Sequence, residues 1–301
     1  MLRHESEDIM IYTFSEQHTG SLFRMQLKED ALNRDAFRDT KEHPLTIAWN
    51  TGEKVVQGDI DGVATTLQPG EVITLTFNQH YRFHEAQDVV AWQFNREFYC
   101  IVDHDQEVSC SGLIFFGTQG IARVQLDEGE RERFQTLLDV FVEEFQEADQ
   151  LRGEMLRMLL KRLIVKVTRL YKRQHVDETI ETEELDLIRQ FGLLVEQHYR
   201  EYHQVQDYAR LMYKSPKTLA NLFARQSGRT ALQIIHDRMA LEAKRRLLYT
   251  DDSSAEVGYA IGIREPAHFS RFFKKATGMS PSKFRKRSRM HIDSAGELQR
   301  A

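Results

Sequence analysis

Apolar and polar residues alternate between residues 45 and about 116. Leu45, Ile47 and Trp49 stand against Thr46, Ala48 and Asn50, which is the two-residue period of a strand. The runs Val72–Phe77 and Val89–Phe94 continue in that style, and Asp61-Gly62 and Pro69-Gly70 supply turn chemistry between them. Several short strands at this spacing predict a small barrel or sandwich. The period then changes. Phe134, Leu137, Leu138, Phe141, Val142 and Phe145 recur at three- and four-residue steps, one face of a helix. A second helix is predicted from about Leu151 to Lys172, where Leu156, Leu160, Leu163, Val167 and Leu170 form a heptad seam. That seam packs either on the barrel and its neighbour helix or on a second copy of the chain. Met155, Met158 and Leu159 give the helix a second apolar side. Residues 174–184 are polar and acidic apart from Val176 and Ile180 and read as a linker; from Leu185 the pattern is helical up to a polar tail after Arg289.

Within the helical part the chain repeats itself. Pro216, Leu219, Phe223 and Gly228 recur 50 residues later as Pro266, Phe269, Phe273 and Gly278. Each copy begins with a short helix carrying a small residue, Ala209 or Gly258, where another helix can come close. A tight turn follows, one residue longer in the second copy. Proline then opens a new helix, at the position where its missing N–H costs nothing. Apolar residues at Pro+3 and Pro+7 face inward, and a glycine five residues later closes the helix. This is helix-turn-helix geometry, whose second helix enters the major groove of DNA. Ser215 is a suitable N-cap before Pro216. Ser253-Ser254-Ala255-Glu256 and Thr230-Ala231-Leu232-Gln233 read as capping boxes. The second box opens a connector helix expected to bury Leu232, Ile235, Met239, Ala243 and Leu247. Its 18 or so residues span roughly 27 Å, close to the ~34 Å between successive major grooves on one DNA face.

Charge sharpens this picture. The chain of 301 residues carries a net charge of −5. Yet the span from His203 to Arg289 holds 18 Lys and Arg against 7 Asp and Glu, leaving 23 against 39 elsewhere. Phosphate contacts need only a local basic surface. The length suits about two domains, and 41% apolar residues with 18 Phe supply a sizeable core. No apolar stretch approaches the roughly 20 residues of a membrane span, and the N-terminus lacks a secretory segment. Two cysteines, Cys100 and Cys110, suggest no disulfide framework. They read as buried thiols, with a redox switch as the alternative. A reduced, cytoplasmic protein is expected.

The segment from Gly262 to Lys275, Gly-Ile-Arg-Glu-Pro-Ala-His-Phe-Ser-Arg-Phe-Phe-Lys-Lys, followed by Thr277-Gly278-Met279-Ser280-Pro281 and Phe284-Arg285, resembles the signature of the AraC/XylS transcriptional regulators. Leu241-Glu242-Ala243-Lys244-Arg245 and Ser215-Pro216 with Leu219 and Phe223 match as well. The resemblance covers Leu185–Arg287. It implies a seven-helix DNA-binding domain, binding to double-stranded promoter DNA, and contact with RNA polymerase. Two departures stand out: Ile263 where the family usually has Phe, and Glu265, a longer and poorer cap, where Asp is frequent.

Residues pointing away from the apolar faces are the DNA-contact candidates. In the first unit these are Lys217, Thr218, Asn221 and Arg225; in the second they are Ala267, His268, Arg271, Lys274 and Lys275. Asn pairs bidentately with adenine, and Lys or Arg with guanine. Asn221, Lys217 and Arg271, with His268 and Thr218, are therefore base-reading candidates. Arg225, Lys274 and Lys275 fall late in their helices, where phosphate contact is expected. The cluster Lys283, Arg285, Lys286, Arg287 and Arg289 either adds phosphate contacts or is a solubilising tail.

In this family the N-terminal barrel often resembles a cupin and binds an effector, and Leu67-Gln68-Pro69-Gly70-Glu71-Val72 resembles the turn leading into such a barrel. Trp49, Phe77, Trp92 and Phe94 are the apolar candidates for a pocket, against the reading that they are plain core. Two alternatives compete with a sensor. One is a ligand-free regulator whose barrel only dimerises or docks a partner. The other is a metal-dependent cupin enzyme, which needs clustered His and a carboxylate. His80, His84 and Glu85 come nearest, but four residues on a strand hold the two imidazoles about 13 Å apart. The expected fold is therefore α+β: a cupin-like β-barrel with two trailing helices over residues 1–173, a linker over 174–184, an all-α double helix-turn-helix domain over 185–289, and a tail over 290–301. A homodimer modulated by a small molecule is expected, with no catalytic, cofactor or metal site and no membrane partner.

Overall fold

A computed structural model of the chain describes residues 10–16, 18–35, 44–77, 79–101, 112–116, 121–176, 182–226 and 229–286. The chain divides into two compact units, residues 1–181 and 182–301. Among the described residues, no helix is long and apolar enough to cross a membrane.

The first unit begins with strands β1 (Met10–Glu16), β2 (Ser21–Leu27) and β3 (Ala31–Arg34). These precede the run in which strands were expected. Next come β4 (Leu45–Asn50), β5 (Val56–Ile60), β6 (Val63–Leu67), β7 (Glu71–Leu75), β8 (Tyr81–His84) and β9 (Val89–Phe94). A short helix α1 (Gly112–Phe116) follows where the last strand was expected, then β10 (Arg123–Gln125), α2 (Glu128–Gln146) and α3 (Arg152–His175). One antiparallel sheet has the order β1-β2-β9-β4-β7-β10 and the other β3-β8-β5-β6.

No ladder joins the two sheets among the described residues, so the expected cupin-like barrel is an unclosed two-sheet arrangement. At the corner between β6 and β10 a side chain stands where a ladder would close the wall. Arg123 donates to the Thr66 carbonyl at 2.9 Å and the Thr65 hydroxyl at 2.5 Å, and is paired with Glu71 at 3.0 Å.

Strand alternation sorts two cores. Phe23, Met25, Ile47, Trp49, Trp92 and Phe94 point toward the side covered by α2 and α3, where Phe134, Phe141 and Leu160 meet them. Ala48, Ile73, Leu75, Phe83 and Ala91 point into the space between the sheets. Trp49, Trp92 and Phe94 are therefore helix-facing core and do not line an inter-sheet pocket; Phe77 packs against that same core, partly buried. Each buried Phe or Leu contributes about 1.5–3 kcal/mol, so the helix-facing cluster dominates this unit. The face of α2 is buried as its spacing predicts, at Phe134, Leu137, Leu138, Phe141 and Phe145.

The heptad seam of α3 has found its partner within the chain. Leu156, Leu160, Leu163 and Val167 are wholly buried and Leu170 nearly so, in the core with α2 and the sheet. A periodicity names a face and not its partner, and the reading as a dimer seam is overturned by this burial. Met155 and Met158 stay exposed, while Leu159 is buried. Glu130 of α2 staples the two helices through Lys166 and through Arg173 at 3.3 Å, both on α3, and pairs with Arg133 of its own helix at 3.0 Å; hydrogen bonding from Lys166 holds its carboxyl below the usual range. Helix α3 runs on to His175, and the next helix starts at Thr182 within the stretch expected to be linker.

The second unit is helical: α4 (Thr182–His198), α5 (Val205–Leu211), α6 (Pro216–Gln226), α7 (Ala231–Tyr249), α8 (Ser254–Ala260), α9 (Pro266–Thr277) and a last helical segment over residues 281–286. One core runs through it, from Phe191, Tyr208, Leu219 and Phe223 by way of Ile235, Met239 and Ala243 to Val257, Phe269 and Phe273. Helix α7 is the spine. It buries Ala231, Ile234, Ile235, Met239, Ala240, Ala243 and Leu247. Leu232, expected inside, is 40% exposed, because the core face of the first turn is centred on Ala231 and Ile235.

Candidate nucleic-acid interface

The two repeats close their first helices in the same way. In the first, Lys214 N–H returns to the Ala209 carbonyl at 2.9 Å and Tyr213 N–H to Arg210 at 3.1 Å. In the second, Ile263 N–H returns to Gly258 at 2.8 Å and Gly262 N–H to Tyr259 at 3.0 Å. These are the backward bonds of a helix end with one residue in the left-handed region. That residue is Tyr213 (φ +53°) in one copy and Gly262 (φ +84°) in the other. A side chain there costs roughly 1–2 kcal/mol, so the first turn stores strain that the second avoids. The small residue of the second copy is needed: a Cβ on Gly258 would stand 3.0 Å from the Ile263 carbonyl and 3.1 Å from Phe269. Ala209, its counterpart, is 1% exposed.

The helices that follow are capped as their sequences direct. Thr218 N–H donates to the Ser215 hydroxyl at 3.0 Å at the start of α6. Both capping boxes form, at Thr230 with Gln233 and at Ser253 with Glu256. Glu265 stands at the N-cap of α9 without a side-chain cap bond, in line with its length, and Pro266 begins the helix. Gly278 closes α9 at φ +80°; Gly228, expected to close α6, lies outside the described residues.

The two second helices therefore turn their apolar faces into one core and present polar faces outward. Leu219, Leu222 and Phe223 of α6 are buried, while Lys217, Thr218, Asn221 and Arg225 are exposed. On α9, Phe269 and Phe273 are buried, and Ala267, His268, Arg271, Lys274 and Lys275 are exposed. Two of these carry internal ties. The Thr218 hydroxyl shares a 2.8 Å hydrogen bond with that of Ser215. Arg225 is ion-paired with Glu184 of α4, placing a carboxylate beside the cationic face.

Of the basic cluster after α9, Arg285 turns inward. It donates to the Leu247 carbonyl at 3.1 Å and to the Asp252 carbonyl, finishing the end of α7. Lys283 and Lys286 are exposed, and Arg287 and Arg289 lie outside the described residues.

Sequence reasoning missed a buried charge cluster behind the two helices. Arg238 of α7 bridges to Glu196 of α4 at 2.6 and 2.9 Å and lies 4.0 Å from the Tyr199 ring centroid. Glu242, one turn on, receives Arg238 at 3.4 Å and Arg246 at 3.1 Å, and Arg246 reaches Asp252 at 3.0 Å. Burial pushes the Glu242 carboxyl upward, but Arg238, Arg245 and Arg246 outweigh it and hold it below the usual carboxylate range. The only local signal is Glu242 at i+4 from Arg238 and i−4 from Arg246; Glu196 is 42 residues away. Sequence reasoning also passed over Tyr213, whose side chain is 95% exposed.

In the first unit, His80 Nδ1 stands 3.9 Å from Asp35, and burial lowers its pKa, which disfavours the charged ring. Among the described residues no three His, Cys, Asp or Glu side chains are grouped as a metal site needs. Cys100 is buried, and Cys110 lies outside the described residues.

The chain is similar to several known proteins. Residues 208–287 match the family described as Helix-turn-helix domain. Over 235 residues the chain is 26% identical to the Arabinose operon regulatory protein of Salmonella typhimurium, covering 78% of this chain and 80% of that protein. A stretch of 71 residues is 42% identical to the Arabinose operon regulatory protein of Escherichia coli, 24% of each chain. Among solved structures, ToxT from Vibrio cholerae O395 aligns over 92% of this chain and 96% of its own, at 13% identity and a TM-score of 0.41.

Proposed function

We propose that this chain is a DNA-binding transcriptional regulator of the AraC/XylS type, whose helix-turn-helix match and similarity to an arabinose operon regulatory protein support the reading, and that α6 and α9 enter successive major grooves on one face of a promoter. The observation that carries the reading is the paired geometry. Two identically terminated turns deliver two proline-started helices, apolar side in and cationic side out, on a single spine of 19 residues. That spine is about 28 Å long, against ~34 Å between successive grooves.

In this reading Lys217, Asn221 and Arg271 meet base edges, with Thr218 and His268 beside them, while Arg225, Lys274 and Lys275 neutralise phosphates. Thr218 reads a base only by giving up or sharing its bond with Ser215. Specificity is non-covalent throughout; no step of the mechanism needs a catalytic group.

The first unit supplies modulation. A small-molecule effector bound there, a homodimer and contact of the second unit with RNA polymerase complete the proposal, in the cytoplasm. One feature favours a sensing role over a purely structural one. Between the sheets, Thr46 and Tyr81 hydroxyls lie 3.0 Å apart and Gln93 Nε2 donates to Tyr81 at 3.1 Å, while buried Gln93 Oε1 has no hydrogen-bond partner among the described residues. Such a group is costly unless something satisfies it. A thermal-shift screen of polar metabolites tests this, since a ligand at a hundred times its Kd adds about 2.7 kcal/mol. The DNA reading is tested by footprinting on a bound promoter. Two protected grooves on one face are expected, and inserting about 5 bp between them, half a helical turn, should abolish tight binding. Undiminished binding after that insertion overturns the two-groove reading.

A further inference from the structure

The turn between α5 and α6 needs one residue in the left-handed region, and the chain places Tyr213 there at φ +53°. Its counterpart Gly262 shows what the fold itself requires: a Cβ on Gly262 would strike the Arg200 carbonyl at 1.9 Å. In the first copy the corresponding Cβ leads into open solvent, and the tyrosine side chain is 95% exposed. No side-chain hydrogen bond or ring contact of Tyr213 is found among the described residues. A glycine would serve the turn without strain. Disfavoured backbone conformations persist where something outside the local fold uses the side chain.

The surroundings point to what that is. Arg210, Lys214 and Lys217 are exposed on the same stretch, and Ser215 caps α6 two residues after the tyrosine. The turn precedes the N-terminal end of α6, the end that meets the base edges when such a helix docks. The DNA backbone then borders the turn. Tyrosine hydroxyl is a neutral donor at ordinary pH, and phosphate oxygens bordering the groove are acceptors for such side chains. We propose that Tyr213 donates a hydrogen bond from its hydroxyl to a backbone phosphate at the edge of the groove occupied by α6, with Lys214 supplying charge beside it. This rests on α6 being a groove-reading helix.

The full chain is first used to enrich a duplex from a random-sequence library, and that duplex is the probe for the parent, Tyr213→Phe, Tyr213→Gly and Lys214→Ala. Tyr213→Phe is expected to weaken binding about ten-fold at every salt concentration, because a neutral donor displaces no counterion. Lys214→Ala should instead flatten the salt dependence by about one unit of slope. Tyr213→Gly should melt about as high as the parent or a few degrees higher, and yet bind more weakly, which separates DNA contact from folding. Tyr213→Phe binding the enriched duplex as tightly as the parent overturns the proposal while leaving the groove-reading premise intact. A parent chain that enriches no duplex overturns both.

Discussion

Gly262 presses its bare Cα against the backbone of Arg200, so that a Cβ there would stand 1.9 Å from the Arg200 carbonyl oxygen. This contact seats the second turn on the end of α4. Gly278 has nearly the same φ, +80° against +84°, but nothing lies within 4 Å of its Cβ position. The two glycines separate conformational strain from collision. Gly278→Ala should cost about 1–2 kcal/mol, the left-handed penalty alone. Gly262→Ala should add a further 1–3 kcal/mol for the displaced backbone. Both tryptophans, Trp49 and Trp92, lie in the first unit; peptide-resolved hydrogen exchange over α8 and α9 is therefore the suitable readout.

Glu184 holds Arg225 from within the chain and puts negative charge beside the surface proposed to meet phosphate. Glu184→Gln should therefore tighten DNA binding several-fold at low salt and steepen its salt dependence, because Arg225 is released to a phosphate. Anisotropy titrations at several salt concentrations read this. Unchanged affinity and slope would remove Arg225 from the interface.

The carboxylate of Glu242 is 6% exposed between Arg238 and Arg246. Glu242→Gln leaves buried guanidinium charge uncompensated and should cost about 3–5 kcal/mol. The pH dependence has a definite sign. Because the folded carboxyl titrates below its unfolded value of 4.5, its contribution is present above that pH and is lost as pH falls toward the folded pKa. Acid melts of the parent should show this loss, and those of Glu242→Gln should show less of it.

Arg271 and Lys275 lie one turn apart on the exposed side of α9, and the proposed reading gives them different roles. Arg271→Ala should relax base preference at one position of the site, by about 1–3 kcal/mol of discrimination. Lys275→Ala should weaken all sequences alike and reduce the salt slope by about one. Footprints and salt titrations showing the reverse would exchange the two assignments.

The second unit was legible because its signals are local. Ser215, Thr230 and Ser253 act on N–H groups three residues away, and Pro266 and Gly278 mark the ends of one helix. The outward placement of Lys217, Asn221 and Arg271 follows from the inward placement of their apolar neighbours. What escaped depends on distant partners. Arg285 was read as a phosphate contact or a tail cation, yet it serves the Leu247 carbonyl 38 residues earlier. The α3 seam was visible as a face, but nothing in its spacing distinguishes α2 of the same chain from a second copy. Strands β1 to β3 were passed over although Phe23, Met25 and Leu27 alternate with Arg24 and Gln26. The intervening residues are half-buried, so the contrast between the two faces is weak.

The duplication has left its halves with unequal freedom. The turn built on Gly262 is hemmed in by Arg200, and its sequence answers to the architecture of the domain. The turn built on Tyr213 opens onto solvent, and its occupant can change without disturbing a single packed neighbour. Affinity for a new promoter can thus be tuned at the first reading head while the second keeps the scaffold in register.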